Sequence, residues 1–234
     1  MSNDQFSMSN FFIVATPIGN LQDFGFRALE TLKKVDLILC EDTRVTGKLL
    51  DFYKIEKPLF SYHQHSKIQK INYILDLLRE GKNIALVSDA GTPGVSDPGN
   101  LLIREVVEKI GEKVKIIPMP GPSAAITAVS ISGFPMDRFL FLGFPPAKRK
   151  RQKFFKEVIE TKYPVIFYES PYRILKTLNE LKLATSDRQQ DTGMVVAREL
   201  TKKFETIYRG TIEKVIEEIK KDKIKGEFVV VAGK

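Results

Sequence analysis

The chain has 234 residues, 43% of them apolar, enough to bury the core of one large domain or two small ones and too many for a mostly disordered polymer. Its 37 lysines and arginines against 29 acids leave a formal charge of +8, which suits a polyanionic partner, and its single cysteine, Cys40, excludes an intramolecular disulfide and fits a reducing cytoplasm. No apolar run reaches the roughly 20 residues needed to span a bilayer, so no membrane partner is expected. Residues 1–10 are polar, lack the features of a secretory signal and read as a frayed leader. A β-prone run over 11–16 ends in Pro17-Ile-Gly-Asn20, a breaker cluster. Asp23 can cap a helix through about 34, with Phe26, Leu29 and Leu32 as its apolar face. A buried strand over 35–40, a helix over 46–53 and a strand over 59–63 follow. The helix over 67–80 carries Ile71, Ile74, Leu75 and Leu78 on one face and stops at Gly81. Strands over 83–88 and 114–117 flank a helix over 100–110, and Ser123 caps a helix to 132.

The second half alternates in the same way. Strands are predicted over 139–142, 164–168, 194–197, 204–208 and 227–232, and helices over 151–160, 173–181 and 212–220. This alternation argues for an α/β architecture. Gly133-Phe134-Pro135 reads as the linker, dividing the chain into an N-terminal domain over 1–133 and a C-terminal domain over 134–234.

Glycine and proline are concentrated. Nine of the 27 fall in 17 positions, within Ser88–Gly99 and Pro118–Pro122. Both clusters follow an apolar strand and precede a helix, as does the Thr16–Gly19 turn. In a parallel sheet such loops share the carboxyl edge, where ligands bind. Glycine lets backbone approach a ligand and proline stiffens the loop, so three such loops describe a pre-formed small-molecule pocket rather than ordinary turns. No Gly-x-Gly-x-x-Gly follows the first strand and no Walker A pattern occurs, which removes the main support for dinucleotides and nucleoside triphosphates. His63 and His65 with one cysteine form no structural zinc pattern, so no metal is expected. The two histidines would share one strand face in a structural or rim role.

Val14-Ala-Thr-Pro-Ile-Gly-Asn-Leu21, Cys40-Glu-Asp-Thr-Arg44, Ala85-Leu-Val-Ser-Asp-Ala-Gly-Thr-Pro-Gly-Val-Ser-Asp-Pro-Gly99, Pro118-Met-Pro-Gly-Pro-Ser-Ala124 and Phe167-Tyr-Glu-Ser-Pro-Tyr-Arg173 resemble the signature segments of the small-subunit ribosomal RNA methyltransferase I family, within the tetrapyrrole methylase superfamily. The resemblance runs from Phe11 to Gly233. It implies two α/β domains with S-adenosylmethionine in a cleft between them. It also implies a homodimer, and 2′-O-methylation of a cytidine ribose in small-subunit ribosomal RNA, free or in the 30S particle. Donor contacts are implied at Pro17, Ile18 and Gly19, at Ala90, Gly91, Thr92 and Val95, at Ser123 and Ala124, and from the second domain at Glu169, Ala197 and Leu200. The first two loops depart from the glycine-rich and Gly-Asp-Pro loops of tetrapyrrole-modifying members. The chain stops just past Gly226-Glu-Phe-Val-Val-Val231, where many members of the RNA branch carry a further helical tail.

A ribose hydroxyl is a weak nucleophile, so a carboxylate should take its proton as the methyl is transferred in line. Asp42, Asp89 and Glu169 each follow a predicted strand and are the candidates; each could instead cap a helix or hold a loop. Arg44 is a candidate phosphate clamp. Lys148-Arg-Lys-Arg-Gln-Lys-Phe-Phe-Lys156 holds six basic residues in nine, and Lys148, Arg149, Lys150, Arg151 and Lys153 form a candidate track for RNA. Two alternatives stand beside this reading: methylation of a corrinoid or porphyrin precursor, and a non-catalytic RNA-binding assembly protein that keeps the pocket as structure.

Overall fold

A computed structural model describes residues 8–63, 68–97, 99–185 and 193–233. The chain divides into two compact units, Met1–Ser123 and Ala124–Lys234. The division falls ahead of the Gly133-Phe134-Pro135 segment read as the linker, because the helix Ala124–Ser130 packs on the second sheet.

The first unit runs β1 (Ser9–Val14), α1 (Phe26–Lys34), β2 (Leu37–Cys40), α2 (Thr43–Phe52), β3 (Leu59–Ser61), α3 (Ile68–Arg79), β4 (Ile84–Val87), α4 (Gly99–Lys109) and β5 (Val114–Met119). Its sheet is parallel at every pairing, in the order β3-β2-β4-β1-β5. Successive strand residues point to opposite faces, so both faces are apolar. Phe11, Leu39, Ile84 and Leu86 pack with Ile74, Leu75 and Leu102 from α3 and α4. Val14, Ile38, Ala85 and Val87 pack with Leu32 and Leu50 from α1 and α2. The predicted inner face of α3 is buried at all four positions, and each such side chain contributes about 1.5–3 kcal/mol.

Two local expectations change. Ser9 and Asn10 are not leader but the start of β1, in register with Val114 and Lys115. Asp23 ends a short 3-10 turn instead of capping α1, whose cap is Gly25. The buried spacing there is Phe24, Ala28 and Leu32, leaving Phe26 in solvent.

The second unit runs α5 (Ala124–Ser130), β6 (Leu140–Phe141), α6 (Arg151–Glu160), β7 (Val165–Glu169), α7 (Ile174–Thr185), β8 (Met194–Arg198), β9 (Thr206–Gly210), α8 (Ile212–Lys221) and β10 (Phe228–Ala232). Its sheet order is β6-β7-β10-β8-β9. Only β6 and β7 pair in parallel; β10 runs antiparallel to both β7 and β8, and β8 antiparallel to β9. Val165, Phe167, Val196 and Val230 build one core with α6, α7 and α8. α5 lies against β10 and β7, and the Ala125 N–H donates to the Tyr168 hydroxyl at 3.2 Å. Among the described residues no helix is long and apolar enough to cross a membrane.

Candidate active site

The three glycine- and proline-bearing loops of the first unit leave β1, β4 and β5, which are adjacent, parallel strands. They therefore emerge side by side at the carboxyl edge of the sheet. Backbone bonds join them. Thr16 and Gly91 exchange N–H to O bonds of 2.9 and 3.1 Å, and the Thr16 hydroxyl donates to the Ser88 carbonyl at 3.0 Å. The Ala15 N–H donates to Met119 O at 3.2 Å, and the Thr92 hydroxyl to Pro122 O at 3.1 Å. Two glycines make this closeness possible. Gly91 has φ +88°, and a Cβ there would sit 3.4 Å from Ile18 Cγ2; a Cβ on Gly121 would sit 3.0 Å from that of Ala15. Asp97 Oδ1 accepts from Gly94 N–H at 2.6 Å and Gly99 N–H at 2.8 Å, holding the second loop to the start of α4. Pro98 lies outside the described residues.

Within this assembly Pro17, Ile18 and Gly91 are buried, Thr92 and Ser123 half-buried, and Gly19, Ala90 and Val95 exposed. The edge thus presents backbone amides and apolar atoms with no basic side chain among these residues. That donor set fits a phosphate-free nucleoside bearing a sulfonium better than a phosphate chain. In the second unit, Ala124 opens α5, and Ala197 and Leu200 are buried at β8 and just after it.

The acidic candidates divide sharply. Asp42 N-caps α2: its Oδ1 accepts from the Arg44 N–H at 2.8 Å. Arg44 also grips it through Nε at 3.0 Å and Nη2 at 2.6 Å, so the proposed phosphate clamp spends its fork on a carboxylate of its own helix. Those hydrogen bonds hold Asp42 down to about 2. Asp89, exposed just past β4, accepts only the Asp42 N–H, at 3.2 Å, among the bonds seen. Desolvation pushes its carboxyl up; the Asp42 N–H opposes this, and the neighbouring Asp42 charge adds to it. Glu41, which sequence reasoning passed over, is pushed up by burial and then by Asp89 and Asp97. Its only signal was its place beside Asp42 in the Cys40–Arg44 segment. Cys40 is buried with its thiol pushed up, chiefly by that burial, which makes it an inert core side chain.

Glu169 does not face solvent as a base would. It is 1% exposed. Its Oε1 accepts the Ser170 N–H at 2.8 Å and pairs with Arg173 Nη2 at 2.8 Å, while Oε2 accepts the Thr177 hydroxyl at 2.5 Å. The reason is parity: Glu169 shares a strand face with Val165 and Phe167, which point into the core. Arg151 also leaves its expected place in the basic track. It is buried, donating from Nη2 to Thr177 Oγ1 at 2.6 Å and from Nη1 to Pro146 O at 3.0 Å, with Nε on Glu180 at 2.5 Å. Spacings of three, four and seven put it on the inner face of α6 with Phe154, Phe155 and Val158.

The rest of the track is exposed. Lys148, Arg149, Lys150 and Lys153, joined by Lys156 and Lys176, line an open groove of about 1200 Å³ over Phe155 and Ile159. His63 is exposed just past β3 and His65 lies outside the described residues. No group of three or more His, Cys, Asp or Glu among the described residues is placed to hold a metal ion.

Residues 10–216 match the model of the family described as Tetrapyrrole (Corrin/Porphyrin) Methylases. The chain is 46% identical to the Ribosomal RNA small subunit methyltransferase I of Halalkalibacterium halodurans, over 94% of this chain and 74% of that one. It is 44% identical to the protein of the same name in Thermotoga maritima, over 96% and 98%. Among solved structures it resembles a cobalamin biosynthetic enzyme, cobalt precorrin-4 methyltransferase, with TM-score 0.68 and 20% identity over 97% and 95% of the two chains. It also resembles uroporphyrin-III-C-methyltransferase from Thermus thermophilus, with TM-score 0.65 and 17% identity over 96% and 94%. These two likenesses establish the fold.

Proposed function

The chain belongs to the tetrapyrrole methylase family, in its ribosomal RNA small subunit methyltransferase I branch, and from that premise we propose that it methylates the 2′-oxygen of a cytidine ribose in small-subunit ribosomal RNA, with S-adenosylmethionine as donor. The observation that carries the reading is the joined carboxyl edge of β4, β1 and β5, a rigid cradle of backbone and apolar groups. The donor supplies an electrophilic methyl on a sulfonium. The chain supplies the rest. Pro17, Ile18, Gly19, Ala90, Gly91, Thr92, Val95 and Ser123 bind and orient the nucleoside through backbone groups and apolar contact. Glu41 and Asp89, at the ends of β2 and β4, place carboxyl groups at this edge, which suits a cationic donor.

Asp89 is the residue proposed to take the ribose proton. It is the only one of the three acid candidates that is exposed, follows a strand of this edge and makes no ion pair among the described residues. Lys148, Arg149, Lys150 and Lys153 are proposed to hold phosphates; their exposure and clustering support this. The same reading has the protein act in the cytoplasm as a homodimer, a state that light scattering on the purified chain measures.

The deciding experiment incubates purified chain and S-adenosylmethionine with small-subunit RNA and with 30S particles, then maps methylated nucleotides. One modified cytidine, resistant to alkaline cleavage on its 3′ side, is expected. Base methylation, or transfer to a tetrapyrrole precursor in place of RNA, would overturn the proposal.

A further inference from the structure

The second sheet also gathers its loops at one edge. β7 and β8 both run antiparallel to β10, and so parallel to each other, and β6 is parallel to β7. Phe228 stands opposite Glu169 on one side and Arg198 on the other, so the strands end in one row. The loops after β6, β7 and β8 leave from that row, and each carries one aromatic ring into solvent. Phe144 is 53% exposed, Tyr172 95% and Phe204 67%. The Phe144 ring rests on Tyr168 at 5.4 Å and turns its other side outward. One exposed ring is ordinary; three on the loops of one edge make an exposed aromatic surface.

These loops are braced from beneath. Arg173, held by Glu169, donates to Pro145 O at 3.1 Å, and Arg151 donates to Pro146 O, so the chain carrying Phe144 is gripped at two carbonyls. Arg198, itself 9% exposed, donates to the Phe204 carbonyl at 3.4 Å and to Lys223 O at 2.7 Å. Glu199 and Thr201 take φ of 53° and 67° in the turn leading to Phe204. Non-glycine residues adopt that region at a cost, and it is retained where a side chain must be presented in one place. Positive charge accompanies two of the rings: Lys203 stands 5.7 Å from the centroid of the Phe204 ring, and Lys148 to Lys150, which line the groove described above, follow Phe144 four to six residues on in the chain.

Apolar faces set among cations on stiff loops match unpaired nucleotides, whose bases stack on rings while their phosphates meet lysines. A regular A-form helix hides its base faces. We propose that the edge carrying Phe144, Tyr172 and Phe204 is a stacking rim for single-stranded RNA. The inference rests on the RNA-methylation reading and adds to it the form of the substrate: a splayed, unpaired segment.

The chain contains no tryptophan, so Tyr172→Trp and Phe204→Trp each place a single reporter on the rim. Their emission should be quenched by a single-stranded oligonucleotide of small-subunit sequence and far less by the same sequence annealed to its complement. Tyr172→Ala and Phe204→Ala should each weaken single-strand binding about tenfold at every salt concentration, leaving the salt slope unchanged, with Tyr172→Phe restoring affinity. Alanine variants that bind like the parent, or unquenched reporters in a chain that still binds and methylates RNA, would overturn the rim and leave the methylation reading standing. Alanine variants that lose self-association but keep RNA affinity would assign the rings to a second copy and likewise overturn it. A parent chain that neither binds nor methylates RNA would remove both.

Discussion

Asp42 and Asp89 lie one hydrogen bond apart, yet their surroundings push their carboxyls in opposite directions. Asp42, held at about 2, stays ionised through the working range and is too weak a base to collect a ribose proton. Its share of stability is present above the ordinary aspartate value of 3.8 and is lost only as pH falls through about 2. Asp89, raised by desolvation and then by the Asp42 charge, loses its ionised form earlier on acidification, so turnover should fall on the acid side at a higher pH than an unperturbed aspartate would give. Asp89→Asn should lower kcat by about 10²–10⁴-fold with donor binding intact by calorimetry. Asp42→Asn removes the like charge and should move the acid limb of the rate profile to lower pH. Full kcat in Asp89→Asn would leave positioning alone to account for transfer.

Among the elements, α6 and α7 are tied to β7 by a relay in which Thr177 accepts from Arg151 and donates to Glu169. Thr177 is wholly buried, so Thr177→Val strands a carboxylate oxygen and a guanidinium nitrogen at nearly constant volume. A loss of about 1–3 kcal/mol is expected in urea unfolding. Much of this was legible in the residue pattern. The helical spacing placed Ile71, Ile74, Leu75 and Leu78 correctly, and the Gly/Pro clusters marked the three joined loops before any strand order was known. What stayed hidden depended on long-range pairing. Nothing in the run 227–232 says that β10 inserts between β7 and β8 and runs antiparallel to both, so the alternation gives the α/β class but not the mainly antiparallel pairing of the second sheet. Glu169 lies not after the strand predicted over 164–168 but as the last residue of β7, where strand parity turns it inward, and the α6 spacing turns Arg151 inward out of its basic run. Phe204 read as a strand residue; β9 begins at Thr206 and leaves the ring on the turn.

For the whole molecule, the net charge of +8 is unevenly used. The carboxyl edge of the first unit carries Glu41, Asp42, Asp89 and Asp97, whereas the groove of the second carries Lys148, Arg149 and Lys150. Each phosphate neutralised contributes about 0.7 to the log–log salt slope on a single strand. Replacing those three with glutamine should therefore flatten the slope by about 2, read by fluorescence anisotropy across a salt series. Arg151→Gln should leave the slope unchanged while lowering the unfolding midpoint, because its charge is already spent on Glu180 and Thr177. A slope that ignores the three surface residues would place RNA elsewhere on the chain.

The position of β1 has a further consequence, for the order in which the protein is made. Among the described strands it is the earliest in the chain, yet it lies inside the sheet with β4 and β5 as its neighbours. Its partners are more than seventy and more than a hundred residues downstream, so a nascent chain holds this apolar strand without β4 until Val87 has been made and without β5 until Met119 has. The cradle therefore closes in the order of synthesis, the β1 and β4 loops first and the loop after β5 last.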